Sequence, residues 1–308
     1  EADLKLIDLV AEVIDARIPI SSRNPDLDSI VGGKPRLVIL NRADQADPTG
    51  NQVWKKHFLE KGMAVLETDA KSGRGVERFS AVIRTALKEE LARWQAKGQV
   101  GRPVRAMVVG VPNVGKSTLI NQISGRKGAK AENRPGVTRG KQWVTVDQGL
   151  LLLDTPGILW PKFEDQIIGE NLAFPGAIRD DILDIEHLAL KLASRLRDLY
   201  PGELAARYKL TDADGWKDMT DVQLINLIGK KRGCLIPGGI VDTERVSNLL
   251  IDEFRAAKIG KMTIDKLPAP KKSAPQAERT AEPTPEQAEA ESPEVPSEDP
   301  TILAEEEA

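Results

Sequence analysis

Histidine and cysteine are almost missing from this sequence, with His57, His187 and Cys234 the only ones in 308 residues. A single thiol cannot close an internal disulfide, so the chain suits a reducing compartment, and a cytoplasmic location is expected. Three such residues scattered along the chain cannot assemble a zinc centre of the Cys/His type. No apolar run approaches the roughly 18 residues that a spanning helix needs, and the first residues do not read as a signal peptide, so no membrane partner is expected.

What is present is ordinary for a soluble globular protein: 30% charged and 40% hydrophobic residues, in a chain long enough for a full core and a second, smaller unit. The net charge of −3 hides an asymmetry. Residues 271–308 hold eleven acids and three bases, a charge of −8, which leaves +5 for residues 1–270. Within that body, 176–262 balances fourteen bases against fourteen acids, so the excess lies in 1–175. A mildly basic body with an acidic tail permits RNA binding without requiring it.

Composition separates three regions. Over 1–175 the apolar runs LVAEVIDA, RLVILN, AVLET, RAMVVG and LLLLD alternate with helix-length segments, notably 75–97 and 116–124. That alternation predicts an α/β domain, a mostly parallel sheet with helices on both faces. Over 176–262 strand signals fade, and Leu188, Leu192, Leu196 and Leu199 recur at helical spacing, as expected for the core stripe of a small all-α domain. From 263 onward Pro, Ala, Glu and Ser dominate. Such a segment cannot bury enough surface to offset its ordering entropy, so 263–308 reads as a disordered acidic tail.

Gly110-Val-Pro-Asn-Val-Gly115-Lys116-Ser117 matches GxxxxGK[ST], after an apolar run and before a helical segment. Glycines let the backbone wrap phosphates with its amides pointing inward, and the match brings Asn113, Val114, Gly115 and Thr118 into a nucleotide-binding loop. Lys116 would neutralise the β- and γ-phosphates, and the Ser117 hydroxyl would ligate Mg²⁺. Asp154-Thr-Pro-Gly157 lies 37 positions beyond Ser117, where a carboxylate at a strand end can hold Mg²⁺ through water. Gly157 would offer its amide to the γ-phosphate. Thr138, in Pro135-Gly-Val-Thr138, is the candidate switch-loop metal ligand, with a simple turn threonine as the alternative.

The base must be read elsewhere. Asn41-Arg42-Ala43-Asp44 closes the run RLVIL and resembles the NKxD element of GTPases. The Asp44 carboxylate can accept both guanine N1–H and the exocyclic amine, a donor pair that adenine lacks. Arg42 stands where Lys is usual, and its planar guanidinium could stack on the base. Asp69-Ala70-Lys71 resembles the SAK element, whose amide meets guanine O6; a capping turn is the alternative. Here the base-reading NRAD precedes the phosphate loop by about 70 residues, the reverse of the Ras-like order. A permuted chain builds the same site when the former termini lay close together. The permutation also tethers 176–262 directly to the segment that senses γ-phosphate, so the GTP state is expected to orient that region.

The segments LKLIDLVAEVIDARIPISSRNP (4–25), NRAD, GVPNVGKSTLIN, RPGVT, LLLDTPGILWPKFED (151–165) and KKRGCL (230–235) together resemble the circularly permuted ribosome biogenesis GTPase A (RbgA/YlqF) family, over roughly residues 4–262. Asp15 and Arg17 of the DARIP run have structural contacts as their plainer role. The resemblance implies a cytoplasmic, monomeric GTPase that binds GTP and GDP and acts in assembly of the large ribosomal subunit. Its helical region would help contact rRNA, and Lys230, Lys231 and Arg232 are the candidate patch, with an exposed helix-end cluster as the alternative. Ile158 stands where Ras-like proteins carry a water-orienting glutamine. In the family that task would fall to a histidine in an FPGHM-like segment ahead of the first matching part. This chain begins at Glu1 without such a segment, and His57 and His187 match no catalytic position. The expectation is therefore a truncated chain with little GTP turnover. Asn113 resembles the asparagine of GTPases that recruit K⁺; loop capping is its alternative. A non-catalytic, nucleotide-gated RNA-binding scaffold is the competing reading.

Overall fold

The computed structural model describes residues 2–125, 142–147, 149–155 and 165–267. Six strands form the main sheet: β1 (Leu9–Asp15), β2 (Arg36–Asn41), β3 (Ala64–Thr68), β4 (Val104–Val109), β5 (Gln142–Asp147) and β6 (Leu150–Asp154). Their order is β3-β2-β1-β4-β6-β5, with every pairing parallel except the hairpin of β5 with β6. The five apolar runs of the sequence are β1, β2, β3, β4 and β6. Strand β5 is an addition: its run QWVTVD lies at the sheet edge, so it needs no continuous apolar stretch.

β1 is buried at all seven positions because both faces of the sheet are covered. Helices α1 (Leu27–Val31), α2 (Pro48–Glu60), α3 (Phe79–Ala86), α4 (Lys88–Ala96) and α5 (Lys116–Ile123) belong to this layer. On one face Leu9, Ala11 and Val13 pack in a core with Phe79 and Ile83 of α3 and Leu119 of α5. On the other, Ile14, Val38 and Leu40 meet Trp54 and Phe58 of α2, while Val10, Met107 and Leu153 meet Leu27 and Val31 of α1. The doubly covered, mostly parallel sheet is the architecture that the alternating sequence pattern implies.

The chain continues through α6 (Gln166–Ala173), α7 (Ile185–Leu199), α8 (Pro201–Tyr208), α9 (Asp221–Arg232) and α10 (Thr243–Arg255). Leu188, Leu192 and Leu196 form the buried stripe of α7. Thr220 and Gln223 make a capping box that starts α9, and Gly233 ends that helix at φ 69°. One element departs from an all-helical reading: β7 (Leu235–Ile236) and β8 (Ile240–Val241) form a short hairpin. Gly238 and Gly239 supply its turn at φ 93° and 77°, values that residues with a Cβ rarely adopt.

The boundary at 263 needs correction. Met262, Thr263, Ile264 and Asp265 are buried. The Met262 amide donates to the Gln45 carbonyl (3.1 Å) and the Ile264 amide to the Arg17 carbonyl (2.8 Å), so ordered structure runs to 267. Alternating apolar residues and backbone bonds hold a segment that composition alone assigns to the tail. Residues 268–308, the rest of that tail, lie outside the described residues. Among the described residues no helix is long and apolar enough to cross a membrane.

Candidate nucleotide site

The phosphate loop leaves β4 at Val109 and enters α5 at Lys116. Two glycines are fixed by their neighbours. A Cβ at Gly110 would stand 2.4 Å from the Val13 carbonyl oxygen, and one at Gly115, where φ is 97°, would stand 2.3 Å from Asn41 Nδ2. Asn113 also adopts positive φ, 55°. Lys116 is only 6% exposed. Its Nζ donates to the carbonyls of Gly110 (3.0 Å) and Val111 (2.9 Å). Burial brings its pKa down to about 8, with the Asp154 carboxylate opposing the fall. Ser117 and Thr118 follow in the first turn of α5.

Asp154 closes β6, paired in register with Val108, one strand across from the loop. It is buried, and the next residue, Thr155, donates its hydroxyl to the Val108 carbonyl (2.7 Å). A helix-start hydroxyl and a strand-end carboxylate flanking a lysine form the hard oxygen donor set that suits Mg²⁺. Thr138 and Gly157, the other two residues expected at the phosphate end, and Ile158 lie outside the described residues.

The base-reading loop is bolted to the phosphate loop through Asn41, which is 2% exposed. Its Nδ2 donates to the Val114 carbonyl (2.8 Å), while its Oδ1 accepts from Thr68 Oγ1 and the Ala70 amide, both at 3.1 Å. Arg42 adopts φ 58° and donates from Nη2 to the Asn113 carbonyl (2.8 Å), with Nη1 3.4 Å from Asp15 Oδ2. The guanidinium thus joins the NRAD loop to the phosphate loop, a contact that adds to the base stacking expected of it. Ala43 is held from both sides, its amide donating to the Thr68 carbonyl and its carbonyl accepting from Asn51 Nδ2. Asp44 Oδ1 is buried and has no hydrogen-bond partner among the described residues.

In the second base-side element, Asp69 Oδ1 accepts from the Lys71 and Ser72 amides, which is the capping turn given as the alternative. The Ala70 amide is spent on Asn41 rather than left open for a base.

Two further contacts shape the site, and the first is of the structural kind given as the plainer role of the DARIP run. Asp15 and Arg17 form a buried fork, with Arg17 Nε to Oδ1 at 3.0 Å and Nη2 to Oδ2 at 2.8 Å. Burial alone would raise the Asp15 pKa, but Arg17 and Arg42 hold it below its ordinary value. Arg17 also donates to the Arg255 carbonyl (3.3 Å) and stacks over Phe254 (5.4 Å), both on α10. The second is Asn113, whose Nδ2 donates to the Gly176 carbonyl just past α6 (2.8 Å).

Two of the three cations in the candidate basic patch have acidic partners. Arg232 Nη2 lies 2.8 Å from Glu253 Oε1 and Lys231 Nζ 3.1 Å from Asp214 Oδ2, while Lys230, Lys231 and Arg232 are all exposed. Glu253 is a buried carboxylate that also accepts from Arg207 and Tyr208, and its need for cations explains Arg232. His57 packs against Trp54 and Phe58, and His187 sits in the first turn of α7, where Asp184 caps its amide. Among the described residues no group of three or more His, Cys, Asp or Glu could hold a metal.

Comparison with known proteins gives this geometry its relatives. The family described as 50S ribosome-binding GTPase matches residues 105–194. Ribosome biogenesis GTPase A of Bacillus cereus is 46% identical over 262 residues, 85% of this chain and 87% of that protein. The protein of the same description from Priestia megaterium is 47% identical over 263 residues, 85% of this chain and 90% of its own length. GNP-bound YlqF from T. maritima shares the fold with a TM-score of 0.59 and 26% identity, over 85% of this chain and 94% of that one. Likeness of this depth extends across nearly the whole length of the relatives, and it shows that the chain belongs to the ribosome biogenesis GTPase A family.

Proposed function

We propose that the chain binds GTP and GDP across the seam between its two loops, hydrolyses GTP, and uses the nucleotide state to control its attachment to precursors of the large ribosomal subunit. The observation that carries the guanine assignment is Asp44 Oδ1, a buried carboxylate oxygen without a hydrogen-bond partner among the described residues, on a loop whose Asn41 side chain and Ala43 carbonyl are anchored. Leaving such an atom unmet is costly unless a ligand meets it, and guanine N1–H and N2–H are a matching donor pair. Relatives that carry the description ribosome biogenesis GTPase A support the ribosomal role, and membership of a GTPase family favours an enzyme over a passive scaffold.

In this reading Lys116 exchanges its bonds to the Gly110 and Val111 carbonyls for phosphate oxygens. Ser117 and Asp154 would hold Mg²⁺, which would supply neutralising charge to the phosphates, and Thr138 and Gly157 would serve the γ-phosphate end. Asn41 and Ala70 act by fixing the base loop, and Arg42 by joining it to the carbonyl of Asn113. A K⁺ ion near Asn113 would add positive charge beside the phosphates; hydrolysis equal in K⁺ and Na⁺ removes that element. We divide the chain at 1–175 and 176–262, a GTPase domain and a helical domain, acting as a monomer. The Asn113–Gly176 and Arg17–Arg255 bonds support coupling of the phosphate loop to the helical domain. Lys230, Lys231 and Arg232, all exposed, remain the candidate patch for rRNA.

The decisive experiment on the base is Asp44→Asn. The variant should lose GDP and gain xanthosine diphosphate, whose 2-oxo group can accept from an amide; unchanged GDP binding overturns the assignment. Co-sedimentation with large-subunit precursors in the GDP and GTP-analogue states tests the ribosomal part, and equal pelleting in both states would count against a nucleotide switch.

A further inference from the structure

The segment that follows α10 ends on the loop that carries Asp44. Four donors converge on the buried carboxylate of Asp265: the Ile20 amide (2.8 Å) and Ser21 amide (2.8 Å) reach Oδ2, and Ser21 Oγ (2.6 Å) and Asn171 Nδ2 (2.8 Å) reach Oδ1. Asn171 Nδ2 also donates to Ser21 Oγ (3.0 Å), tying α6 into the same knot. Upstream, the Thr263 amide donates to Tyr200 Oη (2.8 Å), and that hydroxyl donates to the Thr263 carbonyl (2.9 Å). The fit is close: a Cβ at Gly50 in α2 would stand 2.9 Å from Thr263 Oγ1.

The strap touches the base loop at one point that matters. The Met262 amide donates to the carbonyl of Gln45, the residue after Asp44, and the Ile264 amide donates to the carbonyl of Arg17. Asp44 Oδ1 has no internal bond to hold it, so the carboxylate's position rests on its backbone neighbours. On the Ala43 side those anchors are Thr68 and Asn51; on the Gln45 side they are the turn to Arg42 and Met262.

We propose that residues 262–265 are a positioning clasp for the guanine-reading loop, and that Asp265 is the positioning residue that fastens it. Discriminating guanine from a base that lacks the exocyclic amine needs the Asp44 carboxylate placed to within a few tenths of an ångström, and the clasp supplies the second anchor for that placement. Binding and clasp closure are then linked reciprocally, so that the nucleotide tightens the strap as much as the strap tightens the nucleotide. The inference rests on Asp44 as the reader of guanine.

The test uses the full chain with Asp265→Ala and Asp265→Asn, and reads dissociation constants for GDP and for inosine diphosphate, which lacks the 2-amino group. In Asp265→Ala, GDP affinity should fall roughly tenfold and the preference for GDP over IDP should narrow; Asp265→Asn, which keeps one acceptor oxygen, should fall between. A merely structural role would lower thermal stability and leave the GDP-to-IDP ratio of the folded protein intact, and that result overturns the proposal. Hydrogen exchange on the unaltered protein gives a second readout that survives any folding defect of the variants. GDP should slow exchange at the Met262 and Ile264 amides, and no change there also overturns the clasp. Failure of the underlying guanine reading would look different: the unaltered protein would not prefer GDP to IDP, or Asp44→Asn would not gain xanthosine diphosphate.

Discussion

Raising the pH from 7 to 8.5 should weaken GDP binding through Lys116, while leaving the ligand-free fold no less stable. In the ligand-free protein burial holds the Lys116 ammonium at a pKa of about 8, and among the described residues it donates to the Gly110 and Val111 carbonyls. Phosphate oxygens favour the charged form, so the pKa rises again in the complex and binding above pH 8 must take up a proton. If the complex stays protonated throughout, the affinity scales with the charged fraction of free Lys116, and it drops about fourfold between pH 7 and 8.5. Folding stability moves the other way. The unfolded lysine keeps its proton up to about 10.5, so between about pH 8 and 10.5 the unfolded state binds more protons and stability rises with pH, by at most about 3 kcal/mol. Titration calorimetry in two buffers of different ionisation enthalpy measures both the affinity and the proton uptake. A flat affinity from pH 7 to 8.5 with no proton uptake would refute the reasoning, because it would mean that Lys116 is fully charged before the phosphates arrive.

Three further outcomes follow from the packing. Asn41→Ala strips three hydrogen bonds and strands the Val114 carbonyl and Ala70 amide in the interior; it should cost about 3 kcal/mol in urea unfolding, against about 1 for Thr68→Val, and equal costs would mean that the bridge is not shared as drawn. Gly115→Ala forces a Cβ against Asn41 Nδ2 and should abolish nucleotide binding, whereas Gly125→Ala, with open space around it, should cost only about 1 kcal/mol in stability and leave GDP affinity unchanged. Glu253→Gln removes the negative charge between Arg207 and Arg232; a loss of roughly 3 kcal/mol is expected by thermal melting, and an unaffected melting point would argue that Arg232 is free for other partners.

The strands could be read from sequence because β1, β2, β4 and β6 are buried along most of their length, which makes their runs largely apolar despite Glu12 in β1 and the exposed Arg105 in β4. The phosphate loop was equally legible, since chemistry dictates each fixed residue. Strand β5 was harder because an edge strand carries no such run, and in QWVTVD only Val144 is strongly buried. The clasp was invisible for another reason: its hold on the base loop is made by backbone amides of Met262 and Ile264, and its one strong side chain, Asp265, resembles the acidic tail that follows. The ion pair of Arg232 could not be read from sequence because its partner, Glu253, lies 21 residues away on another helix. Charge along the chain says that a cation exists, and only folding says what it meets. The side-chain bonds of Asn41 to Val114, Thr68 and Ala70 could not be read from NRAD itself, because all three partners lie elsewhere in the chain.

The strand order β3-β2-β1-β4-β6-β5 has a consequence for how the protein is made. The base-reading half, β1 to β3, is one continuous stretch of chain that ends at Thr68, and the phosphate half begins at Val104. During synthesis the first half emerges complete, with the inner edge of β1 bare until β4 arrives to pair with Leu9–Glu12. Asn41 then waits without Val114, and Asp44 without a base. A nucleotide can bridge the halves only after the second has been released far enough to fold, so the ligand that the protein uses as a signal would also report that its own sheet has been closed.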